Sequence, residues 1–347
     1  MNQKLPVVII FLFLSAACTV YKEYPIEVYK PEEIAVPDDA KSAAIVFRNF
    51  RYSSDTLQHF FKTDGQLIKA KNDPSNTDSL QAITCLNELA VHLKNNNVFD
   101  EVAVLPFDAF EKHSGDQLAP LPSALVKQLS SDAVADFMIS LETYSSFYSG
   151  WTRTADAPPA SEVVTVAVWG IYDGETGTPA GNRTMIDTVY WNGYDDEGNL
   201  LQNYRLPPRL DALVMASALA GESFAEKFYP GWQTVNRMYS VPPLPDFSEA
   251  AVLFEEGKWD EAIMIWTRYA DNRNGRMAIN ARYNLALACE MKDDLDSANK
   301  WLSSAMELAI SYRSKQDQNI IRTYQNILAN RKKDIRKINN TDGNLNP

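Results

Sequence analysis

Few side chains in this chain of 347 residues have types and spacing suited to chemistry. There are three His, and His59, His92 and His113 are scattered with no His-x-x-x-His or His-Glu pairing. A zinc centre would therefore need assembly from distant segments. Asp195-Asp196-Glu197-Gly198-Asn199 offers the acids of a calcium loop without its alternating oxygen ligands or terminal Glu, and reads as a hairpin turn. Asp293, Asp294 and Asp296 fall at a turn and a helix start, where acids complement the helix dipole. There is no Gly-x-Ser-x-Gly elbow, Walker loop or Gly-x-Gly-x-x-Gly after a strand, and no carboxylate pair stands out as acid and base. We therefore expect no catalytic residue, no metal site and no cofactor. Cys85 and Cys289 fall in amphipathic helical patterns and read as small core fillers, with a Cys85–Cys289 disulfide as the alternative. Cys18 directly follows Ser15-Ala16-Ala17 and is the thiol placed for modification.

The residues before Cys18 say which modification. Lys4 supplies a positive start, and Leu5 to Leu14 is an apolar run broken only by Pro6. That run is too short to span about 30 Å of hydrocarbon, so residues 1–17 read as a signal peptide. Small residues directly before a Cys resemble a bacterial lipobox. Here Leu14 stands one position further from the Cys than the usual Leu, and Ser15 takes its place. The resemblance implies a diacylglyceryl group on Cys18. A triacylated terminus buries many methylenes at about 0.8 kcal/mol each, so attachment would be permanent. An ordinary signal peptide cut after Ala17 is the alternative. We expect a lipid-anchored protein of the cell envelope, at the outer membrane on its periplasmic or surface face. Residues 18–40, with Pro25, Pro31, Pro37 and several acids, read as an extended tether.

Composition bounds the partners. Hydrophobic residues make up 45% and charged residues 22%, an ordinary globular balance. Lys+Arg 33 against Asp+Glu 45 gives a formal charge of −12, which argues against a nucleic-acid partner because phosphate neutralisation needs a basic surface. The excess is uneven. Residues 18–245 carry 17 basic and 30 acidic side chains, whereas residues 246–347 carry 15 of each.

Residues 41–240 read as an α/β domain, with a mixed sheet built from β-α-β-α-β plus an antiparallel hairpin. The strands are expected at Ala43–Phe50, Glu101–Pro106 and Asp136–Leu141, the last extending to Phe147. Helices are expected through Leu80, Ile83, Leu86, Ala90 and Leu93, and over Pro122–Ser130. Val163–Tyr172 and Arg183–Tyr194 make the hairpin, followed by a helix from Pro207-Pro208 through Phe224 and a last strand, Trp232–Tyr239. Gly221 lets that helix pack close. With Ala135-Asp136, Asp173, Gly174 and Gly177 as hallmarks, this order resembles the amino-terminal domain of the Tol-system protein TolB and the curli secretion lipoprotein. The resemblance implies a fold more than an activity. Tyr144, Phe147, Tyr148 and Trp151 gather four aromatics near one strand end, for stacking on a sugar or protein partner or for burial.

After a Pro-rich linker at 241–246, residues 247–338 read as paired helices, with a disordered tail at 339–347. Ala250, Leu253, Gly257, Trp259, Ala262 and Trp266 align with Tyr283, Leu285, Ala286, Cys289, Leu295, Ala298 and Leu302. Ala262 and Ala298 lie 36 residues apart, close to the period of about 34 in tetratricopeptide repeats, which the segment resembles. Asp293 stands at the turn position where Gly is usual. A third helix, Asp317 to Ile338, caps the stack and ends in the basic run Arg331-Lys332-Lys333 with Arg336-Lys337, a solvated helix end or a contact for acidic lipid. The repeat resemblance places Asn280, Tyr283, Leu287 and Glu290 on the concave side, where such stacks grip peptides. That surface is either free or used up in docking on the α/β domain.

The whole layout, through Cys18 and the run Gly221, Pro230, Trp232, Arg237, Tyr239, also resembles an uncharacterised Bacteroidota lipoprotein family carrying a domain of unknown function. The expected role is a membrane-tethered, non-enzymatic adaptor that binds a protein partner through its helical repeats, with a homo-oligomer left open. The alternatives are a curli-lipoprotein-like oligomeric secretion component and an enzyme of unrecognised type.

Overall fold

The computed structural model describes residues 20–343, except 58, 72, 156, 195–198 and 202–203. The signal segment 1–17, Cys18, the acidic turn at 195–198 and the tail residues 344–347 lie outside the described residues. The chain forms two compact units. One is Glu32–Pro230, and the other joins the segment up to Pro31 with Gly231–Pro347.

The chain enters through β1 (Val20–Lys30), which belongs to the second unit. The first unit follows with β2 (Ser42–Phe47), β3 (Phe50–Tyr52), β4 (Phe60–Thr63), β5 (Gln66–Lys69), α1 (Thr77–Asn95), β6 (Glu101–Val104) and β7 (His113–Gly115). Then come α2 (Ser123–Ala133), β8 (Phe137–Trp151), β9 (Ala160–Asp173), β10 (Pro179–Trp191) and α3 (Arg209–Ala225). The main sheet has the order β10-β9-β8-β2-β6, with β2 parallel to both β6 and β8, and β8, β9 and β10 antiparallel in succession. This is the expected mixed sheet. β2 lies between two parallel neighbours, so Ala43 to Phe47 are buried on both faces.

Period-2 alternation splits that strand between two cores. Ile45 and Phe47 join Leu86, Leu89, Ile139, Leu141, Trp169 and Phe224 beneath α1 and α3, while Ala44 and Val46 join Val126, Met138 and Tyr172 beneath α2. Trp169 stacks on Phe224 with ring centroids 4.2 Å apart. Asp64 and Gly65 make the two-residue turn of the β4–β5 hairpin, both with positive φ (49° and 78°).

The hallmark residues have structural work. Asp136 Oδ2 accepts hydrogen bonds from the backbone N–H of Lys41 (2.8 Å) and of Ser42 (3.0 Å) and from the Ser42 hydroxyl (2.8 Å), fixing the starts of β2 and β8 in register. These donors hold its carboxyl below the usual aspartate range. Asp173 accepts from the N–H and hydroxyl of Thr176 across the β9–β10 turn, which lowers its carboxyl too. Gly177 closes that turn at φ 69°, and a Cβ there would lie 2.2 Å from the Ser123 carbonyl.

The second unit corrects two boundaries. Residues 20–30 are no free tether: β1 pairs antiparallel with β11 (Gly231–Val241) over its whole length, from Val20 opposite Val241 to Lys30 opposite Gly231. β11, assigned from the sequence to the α/β domain, pairs with no strand of the main sheet. Ile26 and Val28 point inward while Glu23, Pro25 and Glu27 face out, so the short polar-looking stretch carries a strand alternation. Pro25 is tolerated because a two-stranded ribbon leaves its other edge unpaired. Five helices follow: α4 (Pro245–Glu255), α5 (Trp259–Ala270), α6 (Gly275–Met291), α7 (Leu295–Ser311) and α8 (Lys315–Gly343). α8 continues through residues 339–343, which were expected to be disordered. Ala262 and Ala298 are fully buried where helices meet. Asp293 takes φ 58° and Gly257 takes φ 76° at matching turns, so the aspartate bears a left-handed strain that glycine avoids.

Two outcomes test this account. A Cβ at Gly221 would sit 2.1 Å from the Cys85 carbonyl oxygen, so Gly221→Ala should cost about 1–3 kcal/mol in urea unfolding. Asp136→Ala should cost about 1 kcal/mol, limited by its solvent exposure. Because the folded carboxyl is lowered, that contribution is present above the ordinary aspartate pKa and is lost as pH falls through the folded value. The parent-minus-variant difference should therefore vanish in acid.

Candidate functional site

Asn280, Tyr283, Leu287 and Glu290 do share one side of α6, but all four are buried and cannot meet a partner. The expectation of a peptide-gripping surface there is corrected: the space is filled by the chain's own β1–β11 ribbon and by α8. Asn284, one turn along, uses its side-chain amide as a mock strand. Its Oδ1 accepts from the Ser240 N–H and its Nδ2 donates to the Ser240 carbonyl, both at 2.8 Å, satisfying backbone groups of β11. Tyr283 meets Tyr21 of β1 edge-on at 6.0 Å and Tyr324 of α8 at 5.3 Å.

Glu290 is the centre of the arrangement. Arg237 Nε and Nη2 donate to its carboxylate at 3.0–3.2 Å, Arg331 Nη1 at 2.9 Å and the Tyr324 hydroxyl at 2.6 Å. Burial by itself would raise its pKa, yet Arg237, Tyr324 and Arg331 hold the carboxyl below the usual glutamate range. The Tyr324 phenol is pushed well above its ordinary value by burial and by Glu290. Arg331 also pairs with Asp293, and Lys332 with Asp296 at 2.5 Å, so two cations of the basic run are spent within the unit.

The aromatic group in the first unit is only partly assembled. Tyr144 is buried and shares a 2.8 Å hydrogen bond with Ser217, and burial raises its pKa. Tyr144, Phe147 and Tyr148 line a cavity of about 200 Å³. Trp151 does not line it; it stands exposed beside Tyr190, ring centroids 6.5 Å apart. Two ion pairs line the cavity beside Asp55: Arg209 pairs with Asp73 and lies 4.5 Å from the Phe61 ring centroid, and Arg51 pairs with Asp78 at 3.2 Å.

The sequence reading missed a groove in the second unit. It encloses about 730 Å³ between the ribbon and the ends of α6 and α8, with Ile26, Tyr29, Trp232, Met291, Ile335 and Ile338 as its apolar lining. Trp232 is 68% exposed and meets Tyr29 edge-on at 5.3 Å. Its signal was available: Trp232 falls on the same alternation as Thr234, Asn236 and Met238, the outward side of β11. Cys85 and Cys289 are free thiols, which corrects the disulfide alternative, and burial raises the pKa of Cys289. Among the described residues no group of three or more His, Cys, Asp and Glu could hold a metal ion, and no helix is long and apolar enough to cross a membrane.

A family model described as "Domain of unknown function (DUF8603)" matches residues 40–240, and one described as "Domain of unknown function (DUF6340)" matches residues 248–330. No curated protein matches the chain. Among solved structures, the PelC dodecamer from Paraburkholderia phytofirmans is 8% identical, covering 60% of this chain and 99% of that one at a TM-score of 0.24. Protein XCC0632 from Xanthomonas campestris is 10% identical, covering 56% and 86% at a TM-score of 0.22. Likeness at this level carries no argument about assembly or activity.

Removing the central carboxylate should be costly. Glu290→Ala leaves Arg237 and Arg331 facing each other without their anion, and should lower stability by about 3–5 kcal/mol in denaturant titration. A loss below about 1 kcal/mol would show that the ribbon is held by apolar contacts alone.

Proposed function

The chain belongs to the family described as a domain of unknown function (DUF8603), and on that premise we propose that it is a membrane-tethered, non-catalytic binding protein of the cell envelope. It is anchored through acylated Cys18, in keeping with its likeness to Bacteroidota lipoproteins. One observation carries the binding role: an exposed Trp232 beside Tyr29 at the mouth of an open apolar groove. An indole left largely in water on the outer face of a strand offers large contact area at low entropic cost, as aromatic anchors of protein interfaces do. The groove walls are backed by the Glu290 network, so the platform is rigid before a partner arrives. Glu290, Asp136 and Asp173 are engaged in bonds that hold elements together, which supports the same reading.

Two measurements test it. Mass spectrometry of protein extracted from the envelope should find Cys18 carrying lipid, and an unmodified thiol would end the anchoring reading. A photo-crosslinking residue at Trp232 should capture a discrete protein partner in intact cells, with Tyr29→Ala weakening capture about ten-fold. Capture equally efficient at exposed Met264, away from the groove, would end the groove's role.

A further inference from the structure

β1 has a direction relative to the helices of its unit. Tyr21 lies beside Tyr283, midway along α6, whereas Ile26 and Tyr29 line the groove with Met291 at the end of α6 and Ile335 of α8. Followed backwards, the strand therefore leads toward the start of α6. Asp317 at the start of α8 and Arg276 at the start of α6 both act electrostatically on Tyr21, whose pKa burial pushes up to about 12. In the sequence Cys18 stands two residues before Val20, where this strand begins.

The α5–α6 loop and the α7–α8 turn meet at this end. The Tyr312 ring lies against Gly275, and its hydroxyl donates to the Arg273 carbonyl at 3.5 Å. Four cations surround that contact: Arg273, Arg276, Arg313 and Lys315, all exposed. None of the four is in an ion pair among the described residues. Ile310 and Tyr312 stand exposed among them. The nearby acids are engaged or set back. Asp271 pairs with Arg282 at 3.1 Å, Asp317 accepts from Ser314 at 2.6 Å, and Glu307 lies about one turn back along α7.

We infer that this end of the helical unit is a lipid-facing surface: Arg273, Arg276, Arg313 and Lys315 bind acidic phospholipid headgroups while Tyr312 and Ile310 enter the interface. The inference rests on the proposed acylation of Cys18, which would hold this end at a bilayer. Unpaired cations and an exposed aromatic are the side chains that such an interface accommodates. With the acylated terminus supplying the attachment, a basic patch beside it would set which face of the unit lies on acidic headgroups. The groove at Trp232 lies near the other end of β1, so lipid and partner would not compete for one surface.

The test separates the surface from the anchor. Full chain carrying Cys18→Ala, which cannot be acylated there, is floated with vesicles of phosphatidylcholine alone or of equal parts phosphatidylcholine and phosphatidylglycerol. It should float with the acidic vesicles at low salt, stay behind with the neutral ones, and be released as salt is raised. Each charge removed should weaken binding about five-fold, so Arg273→Gln, Arg276→Gln, Arg313→Gln and Lys315→Gln together should lower it on the order of a hundred-fold or more. Lys333→Gln with Arg336→Gln, at the opposite end of α8, should change it little. Unchanged thermal melts keep lost binding distinct from lost fold, and the pair Arg313→Gln with Lys315→Gln serves if the quadruple variant melts early. Absence of flotation with acidic vesicles, or equal flotation of parent and charge variants, overturns the inference. An unmodified Cys18 by mass spectrometry overturns the anchor while leaving the flotation result to stand alone.

Discussion

A carboxylate sealed from water is expensive, several kcal/mol in effective terms, unless donors surround it. Glu290, on α6, is in that position, and its donors come from two other parts of the chain: Arg237 of β11, and Tyr324 and Arg331 of α8. Removing any one of these elements would leave a buried charge short of partners, at a cost of several kcal/mol. The ribbon, the second helix pair and the long last helix are therefore conditional on one another. Asn284 adds the backbone of β11 to the same arrangement by bonding both polar groups of Ser240.

That constraint also accounts for the order of the chain. β1 and β11 are separated by the whole of the first unit, yet the chain leaves at Lys30 and returns at Gly231, which face each other in the ribbon. In chain order the α/β unit is thus inserted between the two strands of the ribbon. An isolated two-stranded ribbon is marginal in water, and here helices pack against it: Tyr24 on Phe254, Tyr239 on Phe254, Tyr21 on Tyr283.

The same economy runs through the first unit. Asp136 and Asp173 are drawn below their usual pKa by backbone and hydroxyl donors at strand starts and turns. Arg209 and Arg51 face Asp73 and Asp78 around the small aromatic cavity. Charge in this protein is largely used to fix joints. Among the side chains left in water are an indole beside a groove and a cluster of cations near the starts of α6 and α8, the surfaces on which the proposed binding role rests.

Most elements with a strong local burial period were legible in the residues, whereas β1, whose alternation is mostly polar, was not. β2, β8 and β9 were legible from β-branched and apolar runs, α1 from the spacing of Leu80, Ile83, Leu86, Ala90 and Leu93, though Leu80 and Ile83 stand exposed, and the helix pairs from Ala262 and Ala298 one repeat apart. The αβ order then left little freedom in the parallel core. It did not determine the partner of a strand. Trp232–Tyr239 was visible as a strand, but whether it joined the sheet or paired with residues two hundred positions upstream depends on long-range contacts that local spacing does not encode. The same gap misplaced the groove. Tyr283 and Glu290 carry the residue types of a peptide-binding surface, and only the fold shows that Tyr21, Arg237 and Tyr324 already occupy it. A side chain's type and period say which way it faces on its own element; what it then meets is decided by tertiary packing.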